Sequence, residues 1–494
     1  MDVQLRRRAL LVAIPVAILL MGVALERLDS LAPLRVSIQR TPASVPSSLV
    51  VPDAEIESGL ALLSVYTDEA SLHDPERGLL TNTVATGREW EVPATVSFFE
   101  AGQLVYGGSA GLRVHGGKSR IGSPVQSFRL HFRREYGARQ FMPGVLFEGR
   151  SDPISTLVVH NDLREDRRER WWHLVNPLAY DIARQMGALT PETKPVRFLL
   201  NGEVQGAYVL TSHVREPYMQ ARYGYERLAT ADTRTRRGLR RAIAAIRPLT
   251  MVAVDEVLDL ESLTRWFMSV VFCAVTDPFQ GVVFLDESEP DARWFWVNWD
   301  MDHSFIDLYR QAPRRAPWRH DTFRTTLRKA RVESQVVTRL LAEDPAYRSY
   351  LARLLTEALN HQITPAFLAQ RFAHYRDVAH AFEIEHTEYL EELEEFLIRR
   401  PAEIRTQLAE YAEMGPLYTV TVESAREVML NIDGHREPTG YAGQYFAGQE
   451  VRVSLLADDP DFVGWSVNGR AVTLDEAWHR VGADTVIRAE FTRD

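Results

Sequence analysis

The ten residues from Trp294 to His303 constrain the fold of this chain more than any other stretch of its sequence. Aromatic and β-branched side chains begin the stretch, in an alternation that predicts a buried strand, and Asp300 and Asp302 end it. A carboxylate at the end of a buried strand is costly unless a cation or hydrogen bonds stabilise it. Because residues spaced i, i+2 on a strand point the same way, we predict that both carboxylates share one hard cation such as Mg²⁺. An acidic strand-to-turn junction without a metal is the other interpretation.

The composition is that of an ordinary globular protein. Of the 494 residues, 45% are hydrophobic and 25% are charged, which excludes a disordered chain. The length predicts two to four domains. The net charge of −10 argues against nucleic acid as a partner, because proteins dedicated to binding it are usually basic. Cys273 is the single cysteine, so the chain has no internal disulfide and no multi-cysteine metal site.

The first 30 residues contain a targeting signal. The cluster Arg6–Arg8 precedes an uncharged apolar run, Ala9–Leu25, whose length is at the lower limit for a spanning helix. The basic cluster would keep the N-terminal end in the cytoplasm. We favour an uncleaved transmembrane anchor in the inner membrane over a signal peptide cleaved near residues 22–24. An anchor predicts a single-pass cell-membrane protein, and both alternatives place the bulk of the chain in the periplasm or outside the cell.

Periodic patterns predict both strands and helices in the rest of the chain. Alternating residues from Leu60 to Phe132 predict β structure. Apolar positions spaced by three and four predict one helix from Asn176 to Gly187. A second helix is predicted to start near Leu260, with Pro278 ending it just after Asp277.

Other local signals complete the predicted element order. Asn201 and Gly202, between two apolar runs, predict a β-hairpin with a type I′ turn. The five arginines between Arg234 and Arg241 predict a solvated loop, with a docking patch as the alternative. Residues 333–413 have a helical pattern, whereas strict alternation after Pro416 predicts a small β domain large enough for a sandwich.

Several phrases of this sequence resemble one protein family. The segment Arg113-Val-His-Gly-Gly-Lys-Ser-Arg120, followed by Pro124-Val-Gln-Ser-Phe-Arg129, resembles the opening of the CotH family, the spore-coat-protein-H-like atypical protein kinases. The resemblance runs in order over about residues 60–400, with further matching phrases at 178–187, 196–210 and 296–302. In addition, the region from Gly448 to Phe491 is similar to the β repeat modules of bacterial surface proteins.

The resemblance implies phosphoryl transfer from ATP with Mg²⁺ on a diverged kinase-like fold, in which positioning and charge neutralisation do most of the catalysis. The implied catalytic residues are Asp277, which would accept the proton of the substrate hydroxyl, and Asp300. The implied metal ligands are Asp300 and Asp302. The implied nucleotide-binding residues are Arg113, Arg120, Gln126, Arg129 and Gln280.

The chain departs from the family pattern at several positions. Val125 and Gln126 occupy the place of two lysines, and Ser212 occupies that of a glutamate. Gln280 occupies part of an asparagine pair that could bind a second cation. Two alternatives therefore stay open beside the kinase. One is a catalytically degraded kinase fold that serves as a surface scaffold, and the other is a glycosidase that uses Asp277 and Asp300 as its carboxylate pair.

The patterns and the resemblance together predict an α+β chain whose core is β-rich at its N-terminal side and helical at its C-terminal side. We expect an exported, membrane-anchored kinase that transfers the γ-phosphoryl group of ATP to hydroxyl groups of envelope or surface proteins. The expected segments are an anchor or signal peptide at 1–30, a linker at 31–55, an N-terminal β segment at 56–110, the CotH-like core at 111–415 and a β domain at 416–494.

Overall fold

The computed structural model describes most of the chain from residue 51 onward. The described residues are 51–117, 120–121, 125–137, 146–147, 153–161, 174–230, 236–277, 281–288, 291–305, 316–329, 331–383, 387–472 and 476–492. The predicted anchor or signal peptide at 1–30 therefore lies outside the described residues. Among the helices that are described, none has the length and apolar character needed to cross a membrane.

Seven strands in the first part of the chain close into a barrel: β1 (Leu62–Tyr66), β2 (Val92–Glu100), β3 (Gln103–His115), β4 (Ser127–His131), β5 (Thr156–His160), β6 (Thr193–Leu200) and β7 (Glu203–Ser212). Their order is β1-β2-β3-β4-β5-β7-β6, and β6 closes the barrel by pairing in parallel with β1. Alternate side chains fill the interior, where Val96, Leu112, Leu130 and Phe198 are fully buried. The predicted β structure between Leu60 and Phe132 is thus confirmed.

The hairpin between β6 and β7 has the predicted turn. Both central residues have positive φ, 52° at Asn201 and 83° at Gly202. A type I′ turn requires this conformation, and Asn-Gly is the dipeptide that adopts it at the lowest cost.

Three helices precede β1 or lie between barrel strands in the sequence, and the other described helices follow β7. They are α1 (Asp53–Glu57), α2 (Glu69–His73), α3 (Val175–Gln185), α4 (Glu216–Tyr223), α5 (Arg236–Ala245), α6 (Met251–Asp255), α7 (Leu260–Phe272), α8 (Thr322–Leu327), α9 (Val332–Glu343), α10 (Pro345–Glu357), α11 (Pro365–Ala381) and α12 (Thr387–Tyr411). Short 3₁₀ turns lie at Arg88–Trp90, Arg134–Tyr136 and Pro317–Arg319, and a π turn at Ala358–Gln362 follows α10. The helical pattern predicted for residues 333–413 is confirmed.

Two of the predicted helices form, but one of them ends earlier than predicted. The helix predicted at 176–187 is α3, and Gly187 follows it with a φ of 81°. The helix predicted from Leu260 is α7, which Asp259 caps by accepting from the Ser262 N–H. Its predicted end at Pro278 is wrong, because Ala274 takes a φ of 51° and the helix stops at Phe272.

The predicted solvated loop between Arg234 and Arg241 is also wrong for the part that is described. Residues from Arg236 onward form α5, and Leu239 is 1% exposed within the main hydrophobic core. Tertiary burial of this apolar face decides the conformation, which the density of charge alone did not reveal.

A three-stranded sheet lies beside the helices in the order β10-β9-β8: β8 (Leu228–Thr230), β9 (Val282–Asp286) and β10 (Trp294–Val297). All four residues of β10 are buried, so this strand is covered on both faces rather than on one. Bridges from Leu189 to Val297 and from Leu258 to Trp294 fix both ends of β10 against the helical part.

The strands after Pro416 form two sheets around a core that includes Trp465, as the alternation predicts. They are β11 (Leu417–Ser424), β12 (Met429–Ile432), β13 (His435–Pro438), β14 (Tyr441–Phe446), β15 (Glu450–Leu455), β16 (Phe462–Val467), β17 (Arg470–Val472), β18 (Glu476–Arg480) and β19 (Thr485–Phe491). The five-stranded sheet has the order β14-β11-β19-β16-β17, and the four-stranded sheet β13-β12-β15-β18. The Asn360 amide covers the β14 edge by bonding to both backbone groups of Gln444.

The predicted α+β class is therefore confirmed in its coarse form. Along the sequence, the barrel strands come first, most of the helices follow them, and the sheets after Pro416 come last. The barrel contains strands from both sides of residue 110. Strands β1 and β2, from the predicted N-terminal β segment, therefore belong to the same barrel as β4 to β7.

Candidate functional site

Three arginines predicted to bind nucleotide line one cavity on the outer wall of the barrel. Arg113 on β3 and Arg129 on β4 are directly opposite each other in the antiparallel register. Arg120 lies after β3 and lines the same cavity, whose volume is about 90 Å³. Because their neighbours Leu112 and Leu130 fill the barrel interior, strand alternation directs the two strand arginines to the other face. The cavity has room for a small anionic group.

Arg129 has an environment that suits an anion-binding guanidinium. Its Nη2 atom contacts His115 Nδ1 at 2.7 Å, and none of the described carboxylates lies within 4.0 Å of it. Its Nε atom has no hydrogen-bond partner among the described residues. Burial, followed by the charges of Arg113, Arg215 and Arg120, lowers the pKa of Arg129 to about 10. A bound anion would relieve this repulsion.

The other two arginines are held by neighbouring groups. Arg113 Nε lies 3.8 Å from Glu91 Oε2, and the Arg113 side chain is 19% exposed. Arg120 donates from Nε to the Gly116 carbonyl and from Nη1 to the Ala85 carbonyl at 3.1 Å. Burial and then the charge of Arg113 lower the pKa of Arg120. The cavity is thus lined by guanidinium groups whose positions are set before any ligand binds.

A row of rings connects this cavity to the segment that carries Asp300. The ring centroids of His115 and His213 are 6.2 Å apart, and those of His213 and Trp299 are 5.8 Å apart. Burial and the charge of Arg129 lower the pKa of both imidazoles well below 6.5. Both rings are therefore neutral near pH 7, and His115 Nδ1 accepts the hydrogen bond from Arg129.

Asp300 does not have the geometry predicted for it. The strand β10 ends at Val297, and Asp300 lies in the following turn with a φ of 58°. The argument that i, i+2 residues point the same way along a strand therefore does not apply to Asp300 and Asp302. The Asp300 N–H donates to the hydroxyl of Tyr180 on α3 at 2.8 Å. A left-handed conformation at a non-glycine residue is uncommon and tends to mark functional sites.

The segments that carry Asp277 and Asp302 lie side by side. The Thr276 N–H donates to the His303 carbonyl at 2.9 Å, and the Phe305 N–H donates to the Cys273 carbonyl at 2.8 Å. The two aspartates are next to the paired residues in the sequence. Asp302 is 8% exposed, with Oδ1 at 3.8 Å from His303 Nε2, whereas Asp277 is exposed. The fold thus pairs the backbones of two segments that carry aspartates well separated in the sequence.

The structure describes one of the two glutamines predicted at the nucleotide site. Gln126 directly precedes β4 and is 6% exposed, and its carbonyl accepts from the Tyr208 hydroxyl at 3.1 Å. Gln280 lies outside the described residues. Ser212, at the position where the family has a glutamate, ends β7 and is buried.

Asp300 and Asp302 carry the hard oxygen atoms that a magnesium ion prefers. Within the described ranges, no group of three or more His, Cys, Asp or Glu side chains forms a metal-binding cluster. Mg²⁺ in nucleotide sites needs only one or two carboxylates, because phosphate oxygens and waters complete its octahedron. Asp300 and Asp302 therefore remain the predicted ligands of such an ion.

Sequence reasoning missed several residues that shape the site. His115 is two positions after Arg113 on β3, so strand alternation could have identified it. Glu91, Tyr180 and His213 come from other elements, and no local pattern singles them out.

Comparison with known proteins assigns most of the core to one family. A family model described as CotH kinase protein matches residues 112–236 and 250–411, which together make up more than half of the chain. No curated protein matches the chain at a significant level.

Proposed function

The chain belongs to the CotH kinase family, and on that premise we propose that it transfers the γ-phosphoryl group of ATP to hydroxyl groups of envelope or surface proteins. The single observation that carries this proposal is the cavity shared by Arg113, Arg120 and Arg129. Guanidinium groups in a partly buried site recognise phosphate by charge-assisted, bidentate hydrogen bonds. Arg129, which has no carboxylate partner among the described residues, is the strongest candidate for the phosphate contact.

The metal in this proposal is Mg²⁺, held by Asp300 and by Asp302 directly or through water. When bound, Mg²⁺ would neutralise charge on the phosphate oxygens during transfer. Two contacts of the chain would restrict the conformations of these aspartates before the metal binds. The Tyr180 hydroxyl holds the Asp300 backbone in its left-handed conformation, and burial restricts the Asp302 side chain.

Asp277 is the proposed acceptor of the substrate proton. Its exposed side chain is open to a protein substrate, and its segment is bonded to the one that carries Asp302. The acceptor oxygen would form a bond to the γ-phosphorus while the bond from that phosphorus to the bridging oxygen breaks. The hydroxyl proton would pass to the Asp277 carboxylate, and ADP would leave.

The proposal also covers the parts of the chain outside the kinase core. The apolar N-terminal segment would anchor the protein in the inner membrane, with the core in the periplasm or outside the cell. The sheets after Pro416 would act as a binding or spacer module, which is the role implied by the resemblance of the sequence from Gly448 to Phe491 to repeat modules of bacterial surface proteins.

Calorimetry of the intact protein with Mg·ATP tests the proposal. Asp300→Ala should abolish nucleotide binding, whereas Asp277→Ala should retain binding and lose transfer to an envelope extract. Asp291→Ala, at an exposed position outside the site, serves as the matched control and should change neither property.

The departures at Gln126 and Ser212 favour a second candidate, in which the fold serves as a surface scaffold without catalysis. If the wild-type protein binds no nucleotide in the presence of Mg²⁺, the scaffold replaces the kinase as the better explanation.

A further inference from the structure

Glu91 is a buried carboxylate on the same face of the barrel as the cationic cavity. It directly follows the 3₁₀ turn at Arg88–Trp90, and its side chain is 1% exposed. The side chain lies across Gly111 of β3, where an added Cβ would come within 2.5 Å of Glu91 Oε1. A glycine at this position of the strand is therefore what allows the carboxylate to approach the barrel wall.

Two guanidinium groups share the charge of Glu91. Arg133 Nε lies 2.8 Å from Oε1, and Arg113 Nε lies 3.8 Å from Oε2. His131 Nε2 lies 3.7 Å from Oε2, but burial and then the charge of Arg113 lower the pKa of His131 to about 3, so this imidazole is neutral. Burial and then the charge of Glu91 raise the pKa of the Tyr136 hydroxyl.

The two arginine partners differ in where they lie. Arg113 lines the cavity with Arg120 and Arg129, whereas Arg133 does not and is 34% exposed. Three guanidinium groups around one cavity repel each other, and a long side chain can avoid this repulsion by turning to solvent. A fixed carboxylate behind Arg113 opposes this movement and limits its rotamers.

From this arrangement we propose that Glu91 is a positioning residue, which holds the Arg113 guanidinium in the cavity so that it meets a phosphate group of the nucleotide. The inference rests on the proposed function, because it assigns the cavity to phosphate. It also extends the site to a residue outside the segments that match the family model, which begin at residue 112.

A double-mutant cycle tests the proposal through Mg·ATP affinity, measured by calorimetry on the full-length protein. Glu91→Gln keeps the shape of the side chain and removes its charge, and we expect it to weaken binding about five-fold. Arg113→Met should weaken binding at least as much. In the Arg113→Met background, Glu91→Gln should cause no further loss, because a positioning residue acts only through its partner.

Arg133→Met is the matched control, since it removes the closest cation of Glu91 but leaves Arg113 in place. We expect its affinity to stay within about two-fold of wild type. Thermal melts will show whether each variant folds. If Glu91→Gln does not fold, Glu91→Asp replaces it in the cycle, because it withdraws the carboxylate from Arg113 by one methylene group.

Three results would overturn the inference while leaving the proposed function intact. The first is that Glu91→Gln weakens Mg·ATP binding equally with Arg113 present and in the Arg113→Met background. The second is that Glu91→Gln binds Mg·ATP more tightly than wild type. The third is that Arg133→Met weakens binding as much as Glu91→Gln does. The absence of nucleotide binding by the wild-type protein would instead overturn both the proposed function and this inference.

Discussion

Replacement of Arg400 by methionine should destabilise the protein more than a change at any nearby arginine. Arg400 on α12 is fully buried, and its guanidinium donates to five oxygens. The acceptors are the Thr322 hydroxyl and the carbonyls of Val271, Phe272, Trp318 and His320. The first two of these carbonyls end α7, immediately before the turn that leads to Asp277. Arg400 therefore caps the helix that delivers the proposed catalytic aspartate.

The magnitude follows from the acceptors that would lose their donor. The carbonyls of Phe272 and Trp318 have no other donor among the described residues, whereas that of Val271 also accepts from the Ala274 N–H and that of His320 from the Thr322 N–H. Each buried carbonyl without a partner costs about 1–3 kcal/mol. Part of this cost is recovered because the variant no longer buries a charged group, whose burial lowers the pKa of Arg400 to about 9. The expected net loss of unfolding free energy is about 3–5 kcal/mol, in the range measured when one partner of a buried charge interaction is removed.

Thermal unfolding followed by circular dichroism is the appropriate assay. A chain with several domains does not unfold in two states, so apparent melting temperatures are compared rather than fitted free energies. Arg399→Met is the matched control, because Arg399 is the adjacent residue, is 55% exposed and pairs only with Glu395 among the described carboxylates. We expect Arg400→Met to lower the melting temperature by roughly 5–10 °C and Arg399→Met by less than about 2 °C.

Equal melting temperatures of the two variants would refute this reasoning, because the buried carbonyls would then have found water or other donors. Loss of phosphoryl transfer in Arg400→Met at a temperature where the variant remains folded would in addition connect the cap of α7 to Asp277.

Three further perturbations follow from the same contacts. Tyr180→Phe removes the acceptor of the Asp300 N–H, so calorimetry should show Mg·ATP binding weakened about ten-fold, and unchanged affinity would contradict the role of this hydroxyl. Burial lowers the pKa of His361 below 6.5, so the neutral imidazole stabilises the fold above pH 6.5 and this contribution is lost as the pH falls through the lowered pKa. The difference in melting temperature between pH 7.5 and pH 5 should therefore be smaller in His361→Gln than in wild type. An equal difference in both proteins would exclude the effect. Gly111→Ala places a methyl group against Glu91 and should cost about 1–3 kcal/mol, which would appear as a lower apparent melting temperature, whereas an unchanged melting temperature would mean that the carboxylate can move aside.

Local sequence signals predicted the elements whose conformation depends on neighbouring residues. Asn201 and Gly202 adopt positive φ at little cost, and the turn between β6 and β7 forms as predicted. One face of α3 carries its apolar residues at helical spacing. Gly187 follows the helix because glycine adopts positive φ at little cost.

The incorrect predictions concern places where distant packing decides the conformation. The aromatic neighbours of Asp300 predict a strand end there, but β10 stops at Val297 and the Tyr180 hydroxyl bonds to the following turn. The charge of the segment from Arg234 to Arg241 predicts a loop, but Leu239 is buried in the core and the described part of the segment is helical.

The sequence by itself determined the class of fold, the alternation and periodicity of most elements, and the acidic and basic residue types from which a phosphoryl-transfer site can be built. These features depend on hydrophobic period, turn chemistry and residue type, which act over a few positions. Only the tertiary structure decided that Arg113 and Arg129 face each other, that Asp277 and Asp302 lie on paired segments, and that Glu91 lies behind Arg113. The physical reason is that such contacts arise from barrel closure and helix packing, which join residues that no local pattern relates.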